Sequence, residues 1–275
     1  MKKPFLYPLL LAYLAATLLP MLWLVVTSFK PSREIFLDPF APPSQLALEN
    51  YSRAWTVGHF GAFFGNSLII TTVTVLLTLV LSAMAAYALT RFGGPYSRLL
   101  LLYFLAGMMV PIQMAVVPLF FEMKWLGLLN TRTGLTLVYL ATSLPFAVFL
   151  LAGFFRALPG GLREAALLDG ASEWQTFWHV MLPLARPGLV TVAIFTFLGV
   201  WNEYLVAFML LNGHGSQDLR TLPLGLANLT IVSQFRTDYG MVFAGLVIVM
   251  VPTLIVYVLL ERHLTRGITV GAMKG

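Results

Sequence analysis

The chain contains no cysteine, which excludes disulfide frameworks, thiolate nucleophiles and cysteine metal sites. Charge is nearly as scarce, at 10% of 275 residues, where soluble domains carry roughly a quarter. Histidine is sparse and scattered: His59, His179, His214 and His263 stand far apart, and no HExxH spacing joins any of them to a carboxylate, so no metal site is expected. Neither a GxxxxGK[ST] loop to cradle phosphates nor a GxSxG nucleophile turn occurs. The chain is therefore read as a non-enzyme that binds no cofactor of its own. Long polar segments are missing too; the longest run to about thirty residues, too few to bury an independent core. Despite a net charge of +6, no Lys/Arg-rich run of the kind that grips phosphates is present, so nucleic acid is not an expected partner.

What the chain does have is apolar sequence: 59% of its residues are hydrophobic. Six runs approach the roughly 20 residues that cross a hydrocarbon core. They are Phe5–Phe29, Asn66–Thr90, Leu99–Phe121, Thr133–Phe155, Gly188–Leu211 and Gly240–Leu260. The first exceeds the 7–15 residues of a signal-peptide core and is read as a retained span. Lipid is thus one partner, and the expected fold is an all-α membrane protein of six transmembrane helices. Residues 30–61, with Pro31, Pro39, Pro42 and Pro43, read as an ordered external loop, and 212–239 as a second one. In the second span, Ser82, Ala83, Ala85, Ala86 and Ala88 would permit close helix approach. Pro111 and Pro118 in the third predict a kinked helix packed among others, and Pro145 and Pro252 mark further kinks.

Orientation follows from the basic residues. With both termini on one side, the segments on that side hold ten of the seventeen Lys and Arg against four carboxylates; the opposite side holds seven against six. The basic side is read as cytoplasmic. It includes residues 157–187, a polar stretch carrying Arg163, Glu164, Asp169, Glu173 and Arg186. Pro159 suits a helix start, and Gly170 suits a left-handed closing turn. Ser172 with Gln175 has the capping-box spacing for a second helix, which Pro183 would stop. Trp174, Phe177, Trp178 and Met181 then share one face. Such a face suits either lipid headgroups or a groove on a partner protein.

In this stretch Glu164-Ala165-Ala166, Gly170, Val180 and Leu182-Pro183 stand at the spacings of the EAA signature. The chain accordingly resembles the membrane permease subunits of bacterial ATP-binding cassette importers. SFKP and ENYSRAW in the first loop, VPIQMAVVPLF, VWNEYLVAFMLL and the ending RGITVGAMKG are similar to the carbohydrate branch, as the second permease of a maltose-type pair. The resemblance covers essentially the whole chain; Val180 in place of the commoner isoleucine is a mild departure. It implies a type I importer permease fold in one transmembrane domain over 1–275 (core 62–262), in a bacterial or archaeal cytoplasmic membrane with both termini cytoplasmic. It implies as partners a second homologous permease, two ATP-binding subunits that hold ATP and magnesium, and an extracytoplasmic solute-binding protein. Glu164, Ala165, Ala166, Asp169, Gly170, Ser172, Trp174, Phe177 and Pro183 would meet the ATPase. The solute would be a di- or oligosaccharide, with a polyol, a glycerophosphate or a self-contained secondary carrier as the alternatives.

Glu203 is the only carboxylate inside a predicted span, and a charge at that depth defaults to a functional hypothesis. With Trp201, Asn202 and Tyr204 it combines the polar groups and aromatic faces of a sugar pathway. The competing reading is that Glu203 and Asn202 bond to neighbouring helices or the companion permease and hold the fold.

Overall fold

In lipid every backbone polar group must be satisfied within its own segment, so apolar runs fold as helices. The computed structural model describes residues 6–213, 215, 217–232 and 238–272, and every regular element among them is helical. Four helices are long and apolar enough to cross a membrane, or up to six if each of two sharply bent pairs is one span. They are α1 (Leu6–Thr27), α4 (Phe60–Arg91), α7 (Arg132–Ala157) and α14 (Tyr239–Ala272). The bent pairs are α5 (Pro95–Met108) with α6 (Ile112–Trp125), and the segment Glu173–Leu184 with α11 (Arg186–Trp201).

The chain divides into two compact units. The first takes residues 6–64 and 221–252 from the described chain. Here residues 30–61, expected to form an ordered loop, carry two short helices, α2 (Ser32–Leu37) and α3 (Glu49–Thr56). Buried Lys30 donates to the carbonyls of Asp38 (2.9 Å) and Pro39 (3.1 Å). Buried Asn50 donates to those of Ser28 and Lys30 at 2.8 and 2.9 Å. Arg53 pairs with Asp238 at 2.8 Å, and Ser32 donates to the same carboxylate at 2.8 Å. The residues of SFKP and ENYSRAW are therefore joists of this unit. The second loop is not loop throughout either, because α13 (Leu222–Val232) occupies much of it.

The second unit comprises residues 65–220 and the described residues from 253 onward. Its core joins Ala83, Ala86 and Tyr87 of α4 to Leu101 of α5 and to Ala147, Val148, Leu151 and Phe155 of α7. The small residues of α4 are thus spent on close packing, since Ser82, Ala83 and Ala86 are all buried. Two expectations need correction. The third span is not a kinked, enclosed helix: α5 and α6 meet at 98° around Pro111, whose ring and missing N–H end the helical ladder. Most of α5 and α6 is exposed within this chain. The fifth span is likewise not continuous to Leu211, because α11 stops at Trp201 and a separate helix, α12 (Leu205–Leu210), follows a break. By contrast, α6, α7 and α14 run without interruption through Pro118, Pro145 and Pro252.

The start of α7 is tightly built. Thr131 caps it by accepting from the Gly134 N–H at 3.0 Å, and a Cβ at Gly134 would fall 2.2 Å from the Leu128 carbonyl oxygen. Gly134→Ala is expected to destabilise the protein by about 1–3 kcal/mol, as backbone overpacking does. Gly153→Ala in the same helix meets nothing within 4 Å and is expected to stay within about 0.5 kcal/mol of wild type. Thermal unfolding of the two variants in one detergent checks both values.

Candidate functional site

The polar stretch between α7 and α11 folds into a two-helix hairpin. The helix α8 (Gly161–Leu168) begins two residues after Pro159, and Asp169 caps its end. Gly170 follows with φ +87°, while the N–H of Ala171 reaches the Ala166 carbonyl (3.0 Å) and that of Gly170 the Leu167 carbonyl (3.1 Å). This is a Schellman closure, whose left-handed residue favours glycine. Ser172 then opens α9 (Glu173–Thr176) with both halves of a capping box: its Oγ accepts from Gln175 N at 3.2 Å, and its N–H donates to Gln175 Oε1 at 2.8 Å.

Past α9 the structure departs from the expected helix. Residues Phe177–Met181 form a π-helical turn, and Pro183 lies inside a final turn, α10 (Leu182–Leu184), instead of ending the helix. The chain bends by 74° only around Ala185, before α11. The expected aromatic face is divided between core and surface. Phe177, 3% exposed, and fully buried Met181 enter the core with Tyr87 and Phe155. Trp174 (58% exposed) and Trp178 stay outside, in edge contact at 5.6 Å. Phe177 is therefore an anchor on the membrane helices and presents no surface to a partner.

A clamp that sequence reasoning missed fixes the hairpin. Arg163 of α8 forms a two-pronged ion pair with Glu173 of α9. Tyr87 of α4 donates from its hydroxyl to Glu173 Oε2 at 3.0 Å. The Tyr87 ring sits 5.1 Å from Phe177 and 5.7 Å from Phe155. Beside it, Arg91 Nη2 donates to the carbonyls of Phe155 (2.6 Å) and Leu158 (3.1 Å), satisfying the end of α7. The only sequence signal was the i, i+10 pair of opposite charges, which crosses a turn and matches no helical spacing. Arg163 holds the Glu173 carboxyl below the usual carboxylate range, with the Tyr87 hydrogen bond assisting.

With the clamp turned inward, the remaining residues form an outer rim. Glu164, Ala165, Asp169, Gly170 and Ser172 are exposed, Ala166 is half-buried, and Leu168 is 87% exposed. Neither Glu164 nor Asp169 has a side-chain hydrogen bond or ion pair among the described residues. The rim thus offers two unclaimed carboxylates, a prominent leucine and two tryptophan edges on a rigid base, which suits a protein groove.

The second candidate set does not converge on one cavity. Trp201 is buried and stacked on Phe197 at 5.5 Å, Asn202 is exposed, and Tyr204 stacks on Phe208 at 5.7 Å. Glu203 lies in the break before α12 and not within a helix. It accepts from Val206 N (2.8 Å), Ala207 N (3.1 Å) and the Tyr139 hydroxyl (2.6 Å). Its two oxygens cap α12, where a negative charge complements the helix dipole, and tie it to α7.

Four to six helices long and apolar enough to cross a membrane, and helical structure throughout the described residues, define by class an all-helical membrane protein. Residues 78–270 match the model of the binding-protein-dependent transport system inner membrane component. The chain belongs to that family, the permease subunits of ABC importers. It is 42% identical over 268 residues to the diacetylchitobiose uptake system permease protein NgcG of Streptomyces coelicolor, covering 98% of this chain and 88% of that one. It is 38% identical to the trehalose transport system permease protein SugB of Mycobacterium tuberculosis, over 94% and 93% of the two chains. To the starch degradation products permease AmyC of Thermoanaerobacterium thermosulfurigenes, a probable assignment, it is 35% identical over all of both chains. The fold matches a chain of a bacterial ABC transporter involved in alginate import, with TM-score 0.81, 24% identity, and 93% and 94% coverage.

The Glu173 clamp has a definite pH dependence. A carboxylate whose folded pKa is lowered contributes stability above its ordinary value and loses it as pH falls through the lowered one. Glu173→Gln should therefore cost about 1 kcal/mol at neutral pH, given the partial exposure of the pair. The gap from wild type should close below the usual carboxylate range, which unfolding measured at neutral and acid pH will register.

Proposed function

We propose that this chain forms one half of the translocation pathway of an ATP-driven importer for di- or oligosaccharides. Its rim residues Glu164, Ala165, Ala166, Asp169, Gly170, Ser172 and Trp174 dock into a cleft on a cytoplasmic ATP-binding subunit. A second homologous permease, two ATP-binding subunits and an extracytoplasmic solute-binding protein complete the assembly, in a bacterial or archaeal cytoplasmic membrane. ATP and magnesium belong to the partner subunits, and both termini are cytoplasmic, as the distribution of basic residues favours. The sugar class rests on the relatives, which are named for diacetylchitobiose, trehalose and starch products and give no support to a polyol or glycerophosphate.

The observation that carries the coupling role is the two-sided hairpin. Its inner face is locked by Arg163, Glu173, Tyr87 and Phe177, while its outer rim is unclaimed. A push on the rim is then carried into α4 and α7 instead of being absorbed by a loose loop. Glu203 in this reading is a positioning residue, capping α12 against α7, and not an ion-coupling group of a secondary carrier.

Gly170→Val places a β-branched residue at positive φ, where such residues are strained. It should leave the assembled importer hydrolysing ATP but with several-fold less uptake per ATP, whereas Gly170→Asn, tolerant of this region, should keep most coupling. An unchanged uptake-to-hydrolysis ratio in Gly170→Val would refute the assignment. Glu203→Gln should lower thermal stability by about 1–3 kcal/mol and leave the half-saturating sugar concentration unchanged; a shifted concentration at wild-type stability would place Glu203 on the sugar path.

A further inference from the structure

Next to the hairpin the structure holds a second feature that the transport reading does not use. Where α4 and α7 end and α5 begins, Leu89, Thr90, Gly93, Gly94, Ser97, Arg98, Leu101, Leu102 and Arg156 line an open cleft of about 390 Å³. Its polar groups divide cleanly. Thr90 Oγ1 is committed to the Ala86 carbonyl at 2.8 Å, and Ser97 Oγ to that of Gly93 at 2.7 Å. Arg98 and Arg156 are both exposed and have no hydrogen bond or ion pair among the described residues. No carboxylate lines the cleft, and the acid of the nearby hairpin clamp, Glu173, is already held by Arg163. Two unneutralised guanidiniums therefore line one cleft together with three leucines, two glycines and two hydroxyls already bonded to backbone carbonyls.

The level of the cleft is set by the same helices. The apolar run of α4 closes at Thr90, that of α7 closes at Phe155, and that of α5 opens at Leu99. Phe92 and Tyr96, exposed at 61% and 78%, flank the turn between α4 and α5 as aromatic residues do at headgroup depth. A guanidinium pairs with a phosphate through two parallel hydrogen bonds, and basic pockets between helices at this level suit anionic headgroups. A free anion would use the arginines and leave the leucine walls wet. A phospholipid uses both, with its phosphate between Arg98 and Arg156 and its first acyl carbons against Leu89, Leu101 and Leu102.

We propose that this cleft is a binding site for one acidic phospholipid, held by Arg98 and Arg156 at the foot of the hairpin. The inference does not depend on which solute the protein carries. It is tested by native mass spectrometry of the purified complex containing the full-length chain, titrated in parallel with phosphatidylglycerol and phosphatidylcholine. The wild type should retain phosphatidylglycerol more tightly, and Arg98→Gln with Arg156→Gln should remove that preference, by about fivefold per guanidinium. Arg98→Lys with Arg156→Lys, keeping the charge, should retain most of it. Equal retention of the two lipids by wild type, or an undiminished preference in the glutamine double variant, overturns the proposal. Displacement of phosphatidylglycerol by excess inorganic phosphate would make this a free-anion site instead. Loss of bound ATP-binding subunits from the double variant, with lipid preference intact, would assign the arginines to that interface, and either result also overturns it.

Discussion

The hairpin depends on one buried-edge contact, the Tyr87 hydroxyl against the Glu173 carboxylate. Glu173 is at once the first residue of α9, the partner of Arg163 on α8 and the acceptor for a residue of α4. One carboxylate thus joins both arms of the hairpin to a membrane helix, with the Tyr87, Phe155 and Phe177 rings packed beneath it. Each bond alone is modest at this exposure. Their shared geometry makes the hairpin part of the helix core.

The same economy governs the other polar groups in this apolar chain. Arg91 closes the end of α7, Glu203 opens α12, and Lys30 and Asn50 hold the loop backbone of the first unit. Each satisfies backbone groups that water would otherwise serve. Among the described residues Arg98, Arg156, Glu164 and Asp169 are charged side chains that make no hydrogen bond or ion pair, in a chain where charge is scarce.

Much of this was legible in the sequence because it rests on local chemistry. Gly170 and the Ser172/Gln175 box are turn and cap signals with fixed spacing, and they fold as read. The small residues of α4 announced close packing, which the core confirms. The failures are those of tertiary context. Pro118, Pro145 and Pro252 do not break their helices and Pro111 does, and nothing in the residue type distinguishes them. A 3.6-residue period put Trp174, Phe177, Trp178 and Met181 on one face, but tertiary packing divides them: Phe177 and Met181 enter the core while Trp174 and Trp178 stay outside. The Tyr87–Glu173 contact spans 86 residues of sequence, beyond the reach of any periodicity. The break at Glu203 is not legible in the sequence because the flanking residues are apolar enough to read as one helix.

Because the sequence has no cysteine, the proposed seating of the hairpin's outward rim in an ATP-binding subunit can be tested directly. Leu168→Cys places a single thiol at the most prominent point of the rim, and Trp201→Cys places one in the interior. With a short bifunctional cross-linker and a cysteine-bearing ATP-binding subunit in the assembled complex, Leu168→Cys should form a permease–ATPase product whose yield changes with nucleotide. Trp201→Cys should form none. Absence of the product from Leu168→Cys in a complex that still hydrolyses ATP and transports would contradict that seating.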